Sequence, residues 1–101
     1  MIDPEVLRRH LDTVFHVAHD AGIVPLRLVE VADGRVGGRL QQFSVLFHGP
    51  SDRILPQGTY DMHHDSLGSL ALFIVPVIGS TRERIVYEAA FSRPISWPPA
   101  T

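Results

Sequence analysis

The chain contains no cysteine and no lysine. The first absence excludes a disulfide framework, a thiolate zinc site and a thiol nucleophile. The second excludes a phosphate-binding loop ending in Gly-Lys-Ser/Thr, and neither G-x-G-x-x-G nor G-x-S-x-G occurs. The glycine-rich stretch Gly34-Arg35-Val36-Gly37-Gly38 reads as a flexible hairpin loop, so no cofactor is expected. A dense basic run is missing too. The net charge is -2, and the densest group of three arginines, Arg82, Arg84 and Arg93, is interrupted by Glu83 and Glu88, so nucleic acid is not an expected partner. No apolar run is long enough for a transmembrane helix, the longest being residues 70–78. The first ten residues carry Asp3, Glu5, Arg8 and Arg9 in place of the apolar stretch of a secretory signal. A soluble, cytoplasmic protein with no membrane partner is the default expectation.

What is present is globular. Apolar residues make up 45% of the 101 and charged residues 20%, a balance that supports one core in one domain. Asp3 followed by Pro4 is a helix start, an N-cap side chain and then proline at the first helical position. Val6, Leu7 and Leu11 follow at helical spacing, which predicts a short helix over residues 4–11 that must dock on the rest. Beyond it the period shortens. Residues 13–18 and 24–31 read as a hairpin around His19-Asp20-Ala21-Gly22, although a helix continuing to His19 competes for the first of these segments. Asp33-Gly34 marks the end of the second strand, and residues 33–39 read as a mobile loop.

Over residues 40–48, Phe43, Val45 and Phe47 alternate with Ser44, Leu46 and His48, a third strand with one buried face. A fourth strand over residues 59–64 places Tyr60, Met62 and His64 on one face and Asp61 and His63 on the other. Asp65-Ser66-Leu67-Gly68 turns into a fifth, residues 69–77, apolar on both faces and so expected to be central or covered by the helix. Residues 85–91 form the sixth. Pro94, Pro98 and Pro99 are expected to prevent further pairing, which gives a domain over residues 1–95 and a proline-rich tail over 96–101. The fold class is mainly β (α+β): about six antiparallel strands in a small barrel or sandwich with a short N-terminal helix. A six-stranded barrel is expected to be filled by its own side chains.

The segments LPQGTY (residues 55–60), HHDSLGSLALFIVPV (63–77) and YEAAF (87–91) resemble a family of small bacterial proteins known only as a domain of unknown function. His64, Leu67 and Gly68 fall on its pattern, and the upstream LRLVEV (26–31) and FSVLFHGP (43–50) are similar too. Ser92 departs from the asparagine of that pattern. The resemblance implies one β domain and no activity. It further implies a setting beside phage-tail-collar-like proteins, hence an accessory role in a tail-like or surface assembly.

Three candidate sites stand out. Asp61-Met62-His63-His64-Asp65 is rich in metal-ligand types, but neighbouring strand residues point to opposite faces. At most Asp61, His63 and Asp65 share one face, about 6.5–7 Å apart in succession, and a site would need His48 or His16 from another strand. Solvated histidines explain the same residues. Gln57, Tyr60, His64 and Glu88 form a second set: a covered Glu88 would need a partner, which an acid–base pair or a structural polar cluster would supply, while a Glu88 exposed on an uncovered face would need none. Trp97 in the tail is a candidate anchor for a partner groove. The expectation is a non-catalytic interaction or assembly domain with a protein partner or a second copy of itself. The alternative is a small metal-binding or hydrolytic protein using Asp61, His63, His64 and Glu88.

Overall fold

The computed structural model describes residues 4–19, 22–37, 40–77, 81 and 83–94. Six antiparallel strands close into a barrel in the order β1-β2-β3-β6-β5-β4. They are β1 (Val14–His19), β2 (Gly22–Gly37), β3 (Leu40–Pro50), β4 (Gly58–His64), β5 (Gly68–Pro76) and β6 (Arg84–Pro94), preceded by α1 (Pro4–Arg8). Of the barrel and the sandwich, the barrel is what forms. The proposed N-cap, Asp3, and the tail with Trp97 lie outside the described residues.

Alternation drives the wall together. Phe15 and Val17, then Val24, Leu26 and Leu28, then Phe43, Val45 and Phe47 point inward from β1, β2 and β3. Met62, Leu72, Ile74, Ile85, Tyr87 and Ala89 complete the interior from the other three strands. The interior is thus filled by its own side chains, with Phe15 and Phe47 edge to face at 5.5 Å between centroids. Each end is plugged from outside the wall. Leu7 of α1 is buried at the end where β1 begins; there Asp12 N–H donates to Leu28 O at 2.7 Å and Leu28 N–H donates to Thr13 O at 3.0 Å. Leu55 of the β3–β4 connection is buried at the opposite end, where its N–H donates to the Tyr87 hydroxyl at 2.8 Å.

The segment after α1 is the strand expected of the hairpin and not the competing helix: Phe15 and Val17 face the core while Val14 and Ala18 are exposed, a period of two. Four sequence expectations need correction. The helix itself ends at Arg8, and Asp12 takes a left-handed φ of 66° that breaks it from β1. The second strand does not stop at Asp33-Gly34. It runs to Gly37, paired with β3 from Asp33↔Phe43 to Gly37↔Leu40, with register shifts between Leu28 and Glu30 and between Asp33 and Val36. Pairing with a long β3 overrides the local turn preference, and the irregularities absorb the turn-type residues. Nor does Pro94 keep out of the sheet, since it pairs with Leu40 at the last position of β6, where the end of a strand tolerates the missing donor. Finally, β5 is not covered on its outer face: Phe73 is 52% exposed.

The barrel has two short seams. β1 meets β4 through His16↔His63 and Val17↔Met62, and β5 meets β6 through Val75↔Glu88 and Pro76↔Tyr87. In contrast, β2, β3 and β6 stay paired well past the barrel, with Val31, Val45 and Ala89 side by side and Gly37, Leu40 and Pro94 at the far end. These three strands form an arm. Phe43 and Phe91 stack across its base at 4.8 Å, with ring planes 15° apart.

Candidate functional site

His64 ends β4 with its ring inside the barrel and only 4% exposed. Its Nδ1 accepts from the backbone N–H of Ser66 at 3.0 Å and of Leu67 at 3.2 Å, so that nitrogen carries no proton. The proton therefore sits on Nε2, which donates to Thr13 Oγ1 at 2.8 Å, and the Thr13 hydroxyl donates in turn to His10 O at 2.6 Å. His10 Nδ1 donates to Val6 O at 2.8 Å, and the His10 and His64 rings meet edge to face at 5.1 Å. Burial pushes the His64 pKa below its ordinary value, as do the nearby His10, His63 and His16, against the opposing pull of Asp65. His64 is thus a neutral imidazole with both nitrogens satisfied. It ties the β4–β5 turn to the α1–β1 connection, and no hydrogen-bonding capacity is left over for a substrate.

The set Gln57, Tyr60, His64 and Glu88 does not converge. Gln57 is exposed in the loop before β4, and Tyr60 donates its hydroxyl to Pro56 O at 2.6 Å. Glu88 lies on β6 between Leu46 and Val75 in register, half-buried on the outer face, while its neighbours Tyr87 and Ala89 point inward. The wall separates its carboxylate from the His64 ring.

The outer face of β4 does bring one expected pair together. His63 is exposed directly opposite half-buried His16 of β1, with exposed Asp61 two residues along the strand. Asp65 is exposed in the turn. His48 lies on β3, three strand spacings or about 14 Å around the wall from β4. Among the described residues no group of three or more His, Asp or Glu side chains is placed to hold a metal ion.

Two depressions were not foreseen from the sequence. One, of about 490 Å³, sits at the Leu55-plugged end, with Val24 and Leu55 beneath and His19, Asp52, Arg53 and Ile54 around it. Arg53 Nη1 donates to Ile23 O at 2.9 Å there, and the His19 ring meets Tyr60 edge to face at 5.6 Å. The other, of about 340 Å³, is an open groove on the outer face among Val14, Pro25, Arg27, His48, Pro50 and Glu83. In it His48 stands opposite Arg27 in register, and its Nδ1 is enclosed with no hydrogen-bond partner among the described residues. An enclosed, unpaired nitrogen costs about 1–3 kcal/mol. Burial, then Arg84, then Arg27 hold the His48 pKa below its ordinary value. Because these arginines lie 21 and 36 positions from His48, only the strand register reveals them.

No helix among the described residues is long and apolar enough to cross a membrane. Compared with known families, residues 2–91 match the family model described as Domain of unknown function (DUF6916). No curated protein and no solved structure matches the chain.

Proposed function

The chain belongs to the DUF6916 family, a domain of unknown function, and we propose that its barrel is a non-catalytic interaction domain that docks a protein partner, or a second copy of itself, along the projecting arm. The observation that carries this reading is the outer edge of β2. Up to Leu28 that edge is paired with β1, Asp12 and Thr13; over residues 29–37 it has no strand partner among the described residues. Such an edge is a row of open donors and acceptors and a template for an added strand. The satisfied state of His64 supports the non-catalytic part of the reading, because it leaves the most buried titratable histidine without a free proton-transfer position. Trp97 is the second contact we assign to the partner. An accessory place in a phage-tail-like or surface assembly is the setting for this binding that the family resemblance implies.

The test is capture of the tagged chain from its native host, with the captured mass measured by light scattering and the partner identified by mass spectrometry. It is run beside Ala32→Lys, which puts a charge on the outer face of the arm, and Trp97→Ala. One stoichiometric partner or a dimer, lost with Ala32→Lys or Trp97→Ala, supports the reading. A monomer that brings down nothing overturns it, as does association indifferent to both substitutions.

A further inference from the structure

Strand register gathers three nitrogen-bearing side chains on the outer wall that are far apart in the sequence. Arg27 of β2 is directly opposite His48 of β3, His48 is directly opposite Val86 of β6, and Arg84 lies two residues from Val86 on the same face. Same-face neighbours at these positions are within reach of long side chains. Arg27 and Arg84 are exposed, and His48 is half-buried in the groove floor. Its Nδ1 is enclosed, which leaves Nε2 as the nitrogen that can meet a molecule in the groove. Val14, Pro25 and Pro50 supply apolar walls beside these polar groups.

We infer that this groove is a carboxylate-binding site, and that its occupant is an aspartate or glutamate side chain of a protein partner. The Arg27 guanidinium and the His48 imidazole line the groove, and Arg84 lies beside it, near enough to act on His48; guanidinium forks match carboxylate geometry, and a second guanidinium at the margin adds attraction for an anion. Glu83 at the rim offsets one positive charge, which suits a monoanion better than a dianion. The apolar walls suit a carboxylate carried on a short aliphatic stem, as in an acidic side chain, better than a free inorganic ion. The inference rests on the interaction reading for the source of the carboxylate and names a second, independent contact surface away from the arm.

Binding is coupled to the state of His48. In the free protein burial disfavours the imidazolium first, and Arg84 and then Arg27 add to its effect. A carboxylate beside the ring neutralises the arginine field and favours the proton. The charged groups around His48 are Arg27 from β2, Arg84 from β6 and Glu83 just before β6, with Glu30 and Glu88 beside Leu46, the next same-face residue of β3; the arginines and these carboxylates stay charged through neutral pH, so His48 carries the pH response. Affinity should therefore rise as the pH falls through and below about 6.5.

The probe is the blocked tripeptide acetyl-Val-Glu-Val-amide, titrated into the full chain while the His48 ring signals are followed by nuclear magnetic resonance, with the Gln version as control. The expected result is a saturable His48 shift with the Glu peptide, tighter at the lower pH and weakened about tenfold or more by the Gln replacement. Arg27→Gln and Arg84→Gln, both at exposed positions, should each weaken it several-fold with the fold intact by circular dichroism. Equal response to the Glu and Gln peptides, no shift at millimolar peptide, or indifference to both arginine substitutions overturns the site. The two proposals fail separately. A captured partner that Arg27→Gln and Arg84→Gln do not release leaves the arm and sinks the groove; saturable peptide binding by a chain that captures nothing does the reverse.

Discussion

Thr13 and His64 are 51 positions apart and share a 2.8 Å hydrogen bond inside the barrel end. That bond fixes the direction of every proton around it, because the Ser66 and Leu67 amides already occupy Nδ1. A second proton on the ring would have to sit on Nδ1 and face two N–H donors.

This makes folding stability depend on pH, with a definite sign. His64 and His48 both have folded pKa values held below the ordinary 6.5, for burial first in each case. Well above pH 6.5 both are neutral in the folded and unfolded chain, and their contribution to stability is fully present. As the pH falls through 6.5 the unfolded chain binds protons first, so stability declines until the depressed folded values are passed. Urea midpoints taken stepwise downward from about pH 8 should fall, most steeply below about pH 6.5. The His64→Gln and His48→Gln variants, compared with the parent, should each show a shallower fall. A parent profile flat from about pH 8 to about pH 5 would count against the neutral-histidine assignment.

The barrel was largely legible as strands because alternation in residues such as Phe43, Val45 and Phe47, or Tyr60, Met62 and His64, is a local signal. The length of β2 was not, since Asp33-Gly34 is locally a turn and only the partner strand makes it otherwise. The polar sites were least legible. His64 could be placed on the same face of β4 as Met62, but its partner Thr13 comes from barrel closure, which no short-range pattern encodes. Glu88 was rightly placed within the sixth strand; the side of the wall it faces depends on which of Tyr87 and Glu88 points inward. Tyr87 takes the interior because its ring can be buried while its hydroxyl reaches the Leu55 amide. The groove around His48 required the register of three strands, and the sequence offers no spacing that would have signalled it.

Gly49 shows a packing constraint hidden behind a turn-like sequence. Gly49-Pro50 reads as the end of a strand, but Gly49 is still within β3 and buried. A Cβ placed there would stand 2.7 Å from Leu26 Cδ2 and 2.9 Å from Tyr87 Cε2. Both neighbours are fully buried, so neither can swing into solvent. Gly49→Ala should cost about 1–3 kcal/mol through overpacking, which for a chain of this size lowers the melting temperature by roughly 4–8 °C per kcal/mol. A scanning calorimetry trace unchanged from the parent would show that the end of the barrel is looser than these distances imply.

Tyr87 joins the core to the plug at the same end. Its ring is fully buried, and its hydroxyl accepts the only hydrogen bond recorded for the Leu55 amide among the described residues. Burial pushes the phenol pKa up, against the lowering effect of the Leu55 N–H, so the hydroxyl is neutral at physiological pH. Tyr87→Phe keeps nearly all the packing and leaves the Leu55 N–H enclosed and unpaired, which should cost about 1–3 kcal/mol. The effect should also be local. Leu55 is beneath the depression formed with His19, Asp52, Arg53 and Ile54, and losing its tether frees the connection that forms that wall. Amide hydrogen exchange should therefore speed up at Leu55 by more than the global loss of stability explains, while amides at the opposite end around Leu28, held by Thr13, change only with the global term. Uniform acceleration at both ends would mean that Tyr87 stabilises the barrel as a whole and that the plug has no independent motion.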